Sequence, residues 1–161
     1  MFVDFNELPG YSRIWIYQAD RILTEDEIIS ISVLAKQFTE KWTAHNKDLK
    51  ASFQILYNLF LILAVDETQE APSGCSIDKS VAFIKELENK FNISFLDRMI
   101  FAYKENDEVI PLRREEFSEK IKQGYIDNNT VVFNNLVLTK AELKSSWEIP
   151  YAGSWHKHIL N

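Results

Sequence analysis

The chain has 161 residues, of which 46% are hydrophobic, 26% charged and 13% aromatic, a profile that supports a buried core and excludes a natively disordered chain. Its formal charge of −6 argues against nucleic acid as the main partner, because such binding rests on clustered lysine and arginine that neutralise phosphates. Four glycines, four prolines and one cysteine leave little material for a linker and none for an internal disulfide, so a single α+β domain over residues 1–161 in a reducing compartment is expected.

Met1–Asn6 lacks the basic and apolar regions of a signal peptide. Phe53–Val65, the most apolar stretch, is interrupted by Gln54 and Asn58 and falls short of the roughly 20 apolar residues that a membrane helix needs. A cytoplasmic protein with no membrane span is therefore expected. Arg13–Gln18, a β-branched and aromatic run after Pro9-Gly10, reads as a strand. Thr24 and Glu27 have the spacing of a capping box, in which the hydroxyl takes a free backbone N–H and the carboxylate reaches back to the cap. Ile28, Ile31, Leu34, Ala35, Phe38 and Trp42 follow at helical spacing and predict one buried stripe.

Ala51–Tyr57 and Leu59–Val65 read as two strands joined at Asn58, a connection so short that Tyr57 or Leu59 must enter the turn. Glu67–Gly74 is a loop, and of Asp66, Glu67 and Glu70, which follow the strand, none stands out as a catalytic carboxylate. A second helix is predicted from near Ser76 to near Asn92, with Ile77, Val81, Ile84, Leu87 and Phe91 on one side. Met99–Tyr103 is then a strand. This order matches a ferredoxin-like βαββαβ core over about 11–104, with a four-stranded sheet and helices on one face.

A C-terminal α/β extension over about 105–161 is expected to follow. In it, Val109–Leu112 forms a hairpin across Asn106-Asp107, and Arg114–Gln123 is a short helix, with Phe117 and Ile121 inward, stopped by Gly124. Thr130–Phe133 and Leu136–Leu138 flank Asn134-Asn135, a plausible two-residue turn because asparagine tolerates the left-handed conformation. Thr139 and Glu142 suggest another capping box and a final helix, and Trp147–Asn161 is an aromatic tail holding two of the three histidines.

With Phe53–Val65 followed by Ser73-Gly-Cys-Ser-Ile-Asp-Lys-Ser80, Val132-Phe-Asn-Asn-Leu-Val137 and Ser154-Trp-His156, the chain resembles, over nearly its full length, a group of short uncharacterised Bacteroidetes proteins often labelled "ABC transporter ATPase". The resemblance implies a bacterial cytoplasmic protein of unknown role and carries over no catalytic residue. A P-loop needs glycines ending in Gly-Lys-Ser/Thr, so that backbone N–H groups cradle phosphates and a lysine reaches them. Gly10, Gly74, Gly124 and Gly153 are each followed by another residue type, and no Gly pair of the ABC signature is present. A P-loop ATPase is therefore not expected, nor is a cofactor.

Ser73–Ser80 is the most informative segment, since Gly74 permits close backbone approach and the start of the following helix attracts anions. Cys75 would sit where the helix end favours thiolate, with Lys79 assisting and Asp78 opposing. A small enzyme or an anion or phosphate binder would then use Gly74, Cys75, Ser76, Asp78 and Lys79. The plainer reading lets Ser76 or Asp78 cap the helix and Cys75 fill a corner, as no flanking histidine supplies a base.

His156 and His158 would point the same way in an extended segment, with His45 and Cys75 as the other soft or imidazole ligands. The paired spacing of structural zinc is missing, so no metal site is expected. Trp147, Tyr151 and Trp155 either pack across an open sheet face or form an interface for a protein partner or a second copy. The function expected from these residues is a non-enzymatic binding or interaction module. The alternative is the small enzyme or anion binder at Ser73–Lys79.

Overall fold

In the computed structural model, which describes residues Met1–Leu160, the first strand, β1 (Arg13–Gln18), lies where the β-branched run predicts it. It is followed by α1 (Glu25–Lys41), a two-residue hairpin of β2 (Thr43–Ala44) and β3 (Lys47–Asp48), then β4 (Lys50–Leu56), β5 (Phe60–Asp66) and α2 (Gly74–Phe91). The strands β1, β5 and β4 form an antiparallel sheet in that order. Central β5 is covered along its length, with every residue from Phe60 to Val65 at 0% exposure. That accounts for its unbroken apolar run, because a strand buried on both faces has no reason to alternate. The turn before it takes in Tyr57 and Leu59: Tyr57 and Asn58 adopt φ of 54° and 52°, and Leu59 N–H donates to Leu56 O.

α1 opens with the predicted capping box, in which Thr24 Oγ accepts from Glu27 N–H and Glu27 accepts from Thr24 N–H. Ile31, Ala35 and Thr39 are buried on its inner face. α2 starts earlier than expected because Ser73, and neither Ser76 nor Asp78, is its cap. Ser76 takes the third helical position and completes the reciprocal box with Ser73. At the other end Asn92 turns left-handed, with φ of 52°, the conformation that closes many helices.

The remaining elements are β6 (Ile100–Glu105), β7 (Glu108–Arg113), α3 (Arg114–Lys122), β8 (Val131–Phe133), α4 (Lys140–Ser145), β9 (Glu148–Pro150) and α5 (His156–Ile159). The expected four-stranded ferredoxin-like sheet does not form, because β6 joins a separate sheet ordered β7-β6-β8-β9. β6 closes a local hairpin with β7 across Asn106 and Asp107, both left-handed with φ of 50° and 65°. Such a short closure costs far less loop entropy than a return across α2. Two compact units result, Met1–Leu96 with Leu138–Ala141, and Asp97–Val137 with the residues from Glu142 onward. β6 thus belongs with the residues expected to form the extension, and the division falls before it.

In the second unit the core gathers Phe101, Tyr103, Phe117, Ile126, Val132 and Tyr151. Gly124 ends the α3 segment as expected, with φ of +83°. Leu136–Leu138 does not form the predicted strand. β8 pairs instead with β9, matching Val131 to Pro150, Val132 to Ile149 and Phe133 to Glu148. Asn134 and Asn135 do not take the left-handed conformation that a two-residue turn requires. Among the described residues, no helix is long and apolar enough to cross a membrane.

Candidate functional site

The end of α1 places two aromatic rings, Phe38 and Trp42, against α2 and the sheet. Phe38 stacks on Phe83 with centroids 4.5 Å apart and planes 1° from parallel. Phe38 also contacts Trp42 at 5.0 Å, and Trp42 contacts Trp15 at 5.7 Å. Trp42 is 1% exposed, and its indole N–H donates to Ser76 O at 2.8 Å. A buried indole requires such an acceptor. That bond and the Phe38–Phe83 stack set the last turn of α1 beside the first turns of α2.

Above this floor lies an open groove of about 460 Å³ between the two helices. Leu34, Phe38 and Trp42 line it from one side, and Ala82 and Phe83 from the other. Lys41 and Lys79 also line it, and the Trp42–Ser76 bond puts both at the same end, while Leu34 and Glu86 mark the other. Each helix contributes residues three, four and seven apart, the spacing of one helical face. Two lysines in a groove that also holds apolar side chains suit a group that carries an anion on an apolar body.

Of the segment singled out in the sequence, only Lys79 lines this groove. Ser73 and Ser76 satisfy each other at the start of α2, so two of its free N–H groups are already taken. Ser76 is buried, whereas Gly74, Cys75, Asp78 and Lys79 are exposed. A Cβ built on Gly74 would meet nothing within 4 Å, so no close backbone approach calls for glycine there. The neighbouring loop is anchored by Asp66. Its carboxyl is held below the usual range, first by the Thr68 hydroxyl and further by Thr68 N–H and Lys50.

The aromatic tail folds into the second unit. Trp147 is 2% exposed, sits edge-on to Phe133 at 4.9 Å, and donates its indole N–H to Asn135 Oδ1 at 2.9 Å. Half-buried Trp155 donates to Asn134 Oδ1 at 3.0 Å. Tyr151 belongs to the core, and burial raises the pKa of its hydroxyl. Of the two readings of these rings, packing describes their placement.

His156 is buried between Trp155, 3.8 Å away and nearly parallel, and Phe117, at 5.9 Å. Burial pulls its pKa down to about 4, and Nδ1 is bonded to Ser154 Oγ. By chemistry this is a hydroxyl and a base, but Ser154 is 2% and His156 1% exposed, so no substrate reaches them. His158 is exposed. The residues form a helix, not an extended segment, which turns side chains two apart by about 200° and denies them a common ion. Among the described residues, no group of three or more His, Cys, Asp or Glu side chains is arranged to hold a metal.

Phe38 and Trp42 were legible as part of a buried stripe, but their role in a groove was not. Phe83 and Lys41 carried no local signal beyond helical spacing. No family model, curated protein or solved structure matches this chain.

Proposed function

We propose that this protein is a non-enzymatic binding or interaction module whose contact surface is the groove between α1 and α2. The observation that carries the reading is the parallel Phe38–Phe83 stack on the groove floor, with Lys41 and Lys79 sharing one end. An apolar cleft with a few converging polar groups is the usual form of a recognition site. The buried Ser154–His156 pair offers no reactive alternative. An exposed, unpaired Cys75 fits a reducing cytoplasm, and the resemblance to short Bacteroidetes proteins fits a bacterial source.

Nitrogen–proton correlation spectra during titration with aromatic and aliphatic carboxylates test this. Amides of residues 34–42 and 79–86 are expected to move, and Phe38→Ala with Lys79→Ala should abolish the response. Fragments that leave both helices unmoved would sink the groove reading. Inorganic phosphate that moves only the amides of 74–76, together with a Cys75 thiol more reactive than a free one, would favour the anion site or small enzyme at Ser73–Lys79.

A further inference from the structure

We infer, resting on the groove reading above, that the groove takes an amphipathic α-helix of a protein partner, which sets its acidic first turn at Lys41 and Lys79 and runs parallel to α2.

The walls select the conformation of the occupant. Both are helices, whose backbone N–H and C=O groups are bonded within each helix. An extended segment laid between them would lose water from its own backbone and find no main-chain partner. A helix arrives with its backbone already satisfied, and laying its apolar face in such a groove is a recurring mode of recognition. The groove is also open to solvent, so a small molecule would stay largely wet in it. A helix about 10 Å across covers it.

Shape points the same way. Half-buried Leu34 and Phe38 form one wall, and exposed Ala82 lies on the other, midway between Lys79 and Glu86. Its small side chain leaves a notch next to Phe83 for a large apolar side chain of the partner. Residues 79–86 cover about 11 Å at 1.5 Å per residue. Apolar side chains three and four apart on the incoming helix match a floor of that length.

Charge sets the direction. Lys41 and Lys79 stand at one end and Glu86 at the other, and among the described residues none of the three is in an ion pair. Glu40 and Asp78, the exposed neighbours of the two lysines, lie about 100° round their helices and do not line the groove. Helices favour carboxylates in the first turn and cations in the last. Such a helix meets the lysines with its start and Glu86 with its end, parallel to α2 and antiparallel to α1.

Synthetic helices of about four turns, titrated with the full chain up to about 1 mM and read by fluorescence anisotropy, test this. Three probes carry leucine, phenylalanine or methionine along one face, with glutamates in the first turn and lysines in the last. Each has a counterpart with lysines in its first turn. At least one glutamate probe should bind about threefold to tenfold more tightly than its counterpart, and Lys41→Glu with Lys79→Glu should invert that preference. Ala82→Gln, which fills the notch, should weaken binding about fivefold or more. A nitroxide on the probe's first turn should broaden the amides of Lys41 and Lys79 ahead of that of Glu86. All three substituted positions are exposed, so thermal melting should show each variant folded.

Binding indifferent to Ala82→Gln or to the charge reversal, or broadening strongest at Glu86, overturns the inference. Six probes that fail to bind, while carboxylates still move the groove amides, overturn it and leave the groove reading standing. Groove amides that answer to neither probes nor carboxylates remove both.

Discussion

The rings of Phe38 and Phe83 come from different helices yet lie 4.5 Å apart and 1° from parallel. Phe83 is 8% exposed and Phe38 partly buried, so the contact joins the inner packing of α1 and α2 to the floor of the groove. Aromatic pairs add about 0.5–1.5 kcal/mol beyond the area they bury. Phe38→Ala and Phe83→Ala are each expected to cost about 2–4 kcal/mol in chemical denaturation. The double variant should cost less than the sum by about 1 kcal/mol, because the stack is lost only once. Simple additivity would mean that the rings act separately.

His156 makes stability depend on pH. Its ring is buried among Trp155, Phe101 and Phe117, and burial holds its pKa at about 4, below the ordinary 6.5. The unfolded chain therefore binds the proton more readily, so stability should fall as pH drops from about 6.5 to about 4. The full loss is on the order of 3 kcal/mol. Urea midpoints collected across that range should show the slope, and His156→Phe should flatten it. An unchanged slope in that variant would assign the effect to other groups.

A second acid limb belongs to Glu27. The Arg21 guanidinium grips both carboxylate oxygens at 2.8 Å and, with Thr24 at the cap, holds the carboxyl down to about 2 against the ordinary 4.5. A depressed carboxyl contributes stability above its unfolded value and loses it as pH falls toward the folded one. The window is therefore about pH 4.5 to 2, below that of His156. Because Arg21 is 42% exposed, the pair is discounted for solvent screening, and Glu27→Gln, which keeps an oxygen for the cap but loses the charge, should cost about 0.5–1 kcal/mol at neutral pH, mostly through the lost Arg21 pair. Retention of the lower limb in Glu27→Gln would contradict the assignment.

Features written in neighbouring residues were legible in the sequence. The Thr24–Glu27 box, the apolar run of β5, the Asn106-Asp107 hairpin and the stop at Gly124 depend on backbone chemistry within a few residues. Strand partnership does not, which is why β6 could be found as a strand but not assigned to its sheet. α2 hides its inner face in another way. Ser76 and Ser80 are buried there, with hydroxyls bonded to Ser73 O and Ile77 O, while Phe83 packs inward beside Ile84 and Leu87. Two satisfied serines break the apolar stripe that periodicity looks for. The groove was hidden for the same reason, since it needs the relation between two helices and not the pattern of either.

Asn134 and Asn135 show how a turn signal can serve another purpose. Neither residue turns left-handed. Their side-chain oxygens accept the indole N–H groups of Trp155 and Trp147. Trp147 is 2% exposed, so Asn135→Ala removes an acceptor from a buried donor, which costs about 1–3 kcal/mol. Trp147→Phe in the same background takes the donor away as well, so the two changes together should cost less than their sum, by about 1 kcal/mol. Thermal or urea unfolding of the four chains in this cycle reads the coupling directly. A coupling near zero would show that Asn135 matters only to its own backbone. A clear coupling would show that the aromatic tail is held to the second unit by polar anchoring as well as by apolar packing.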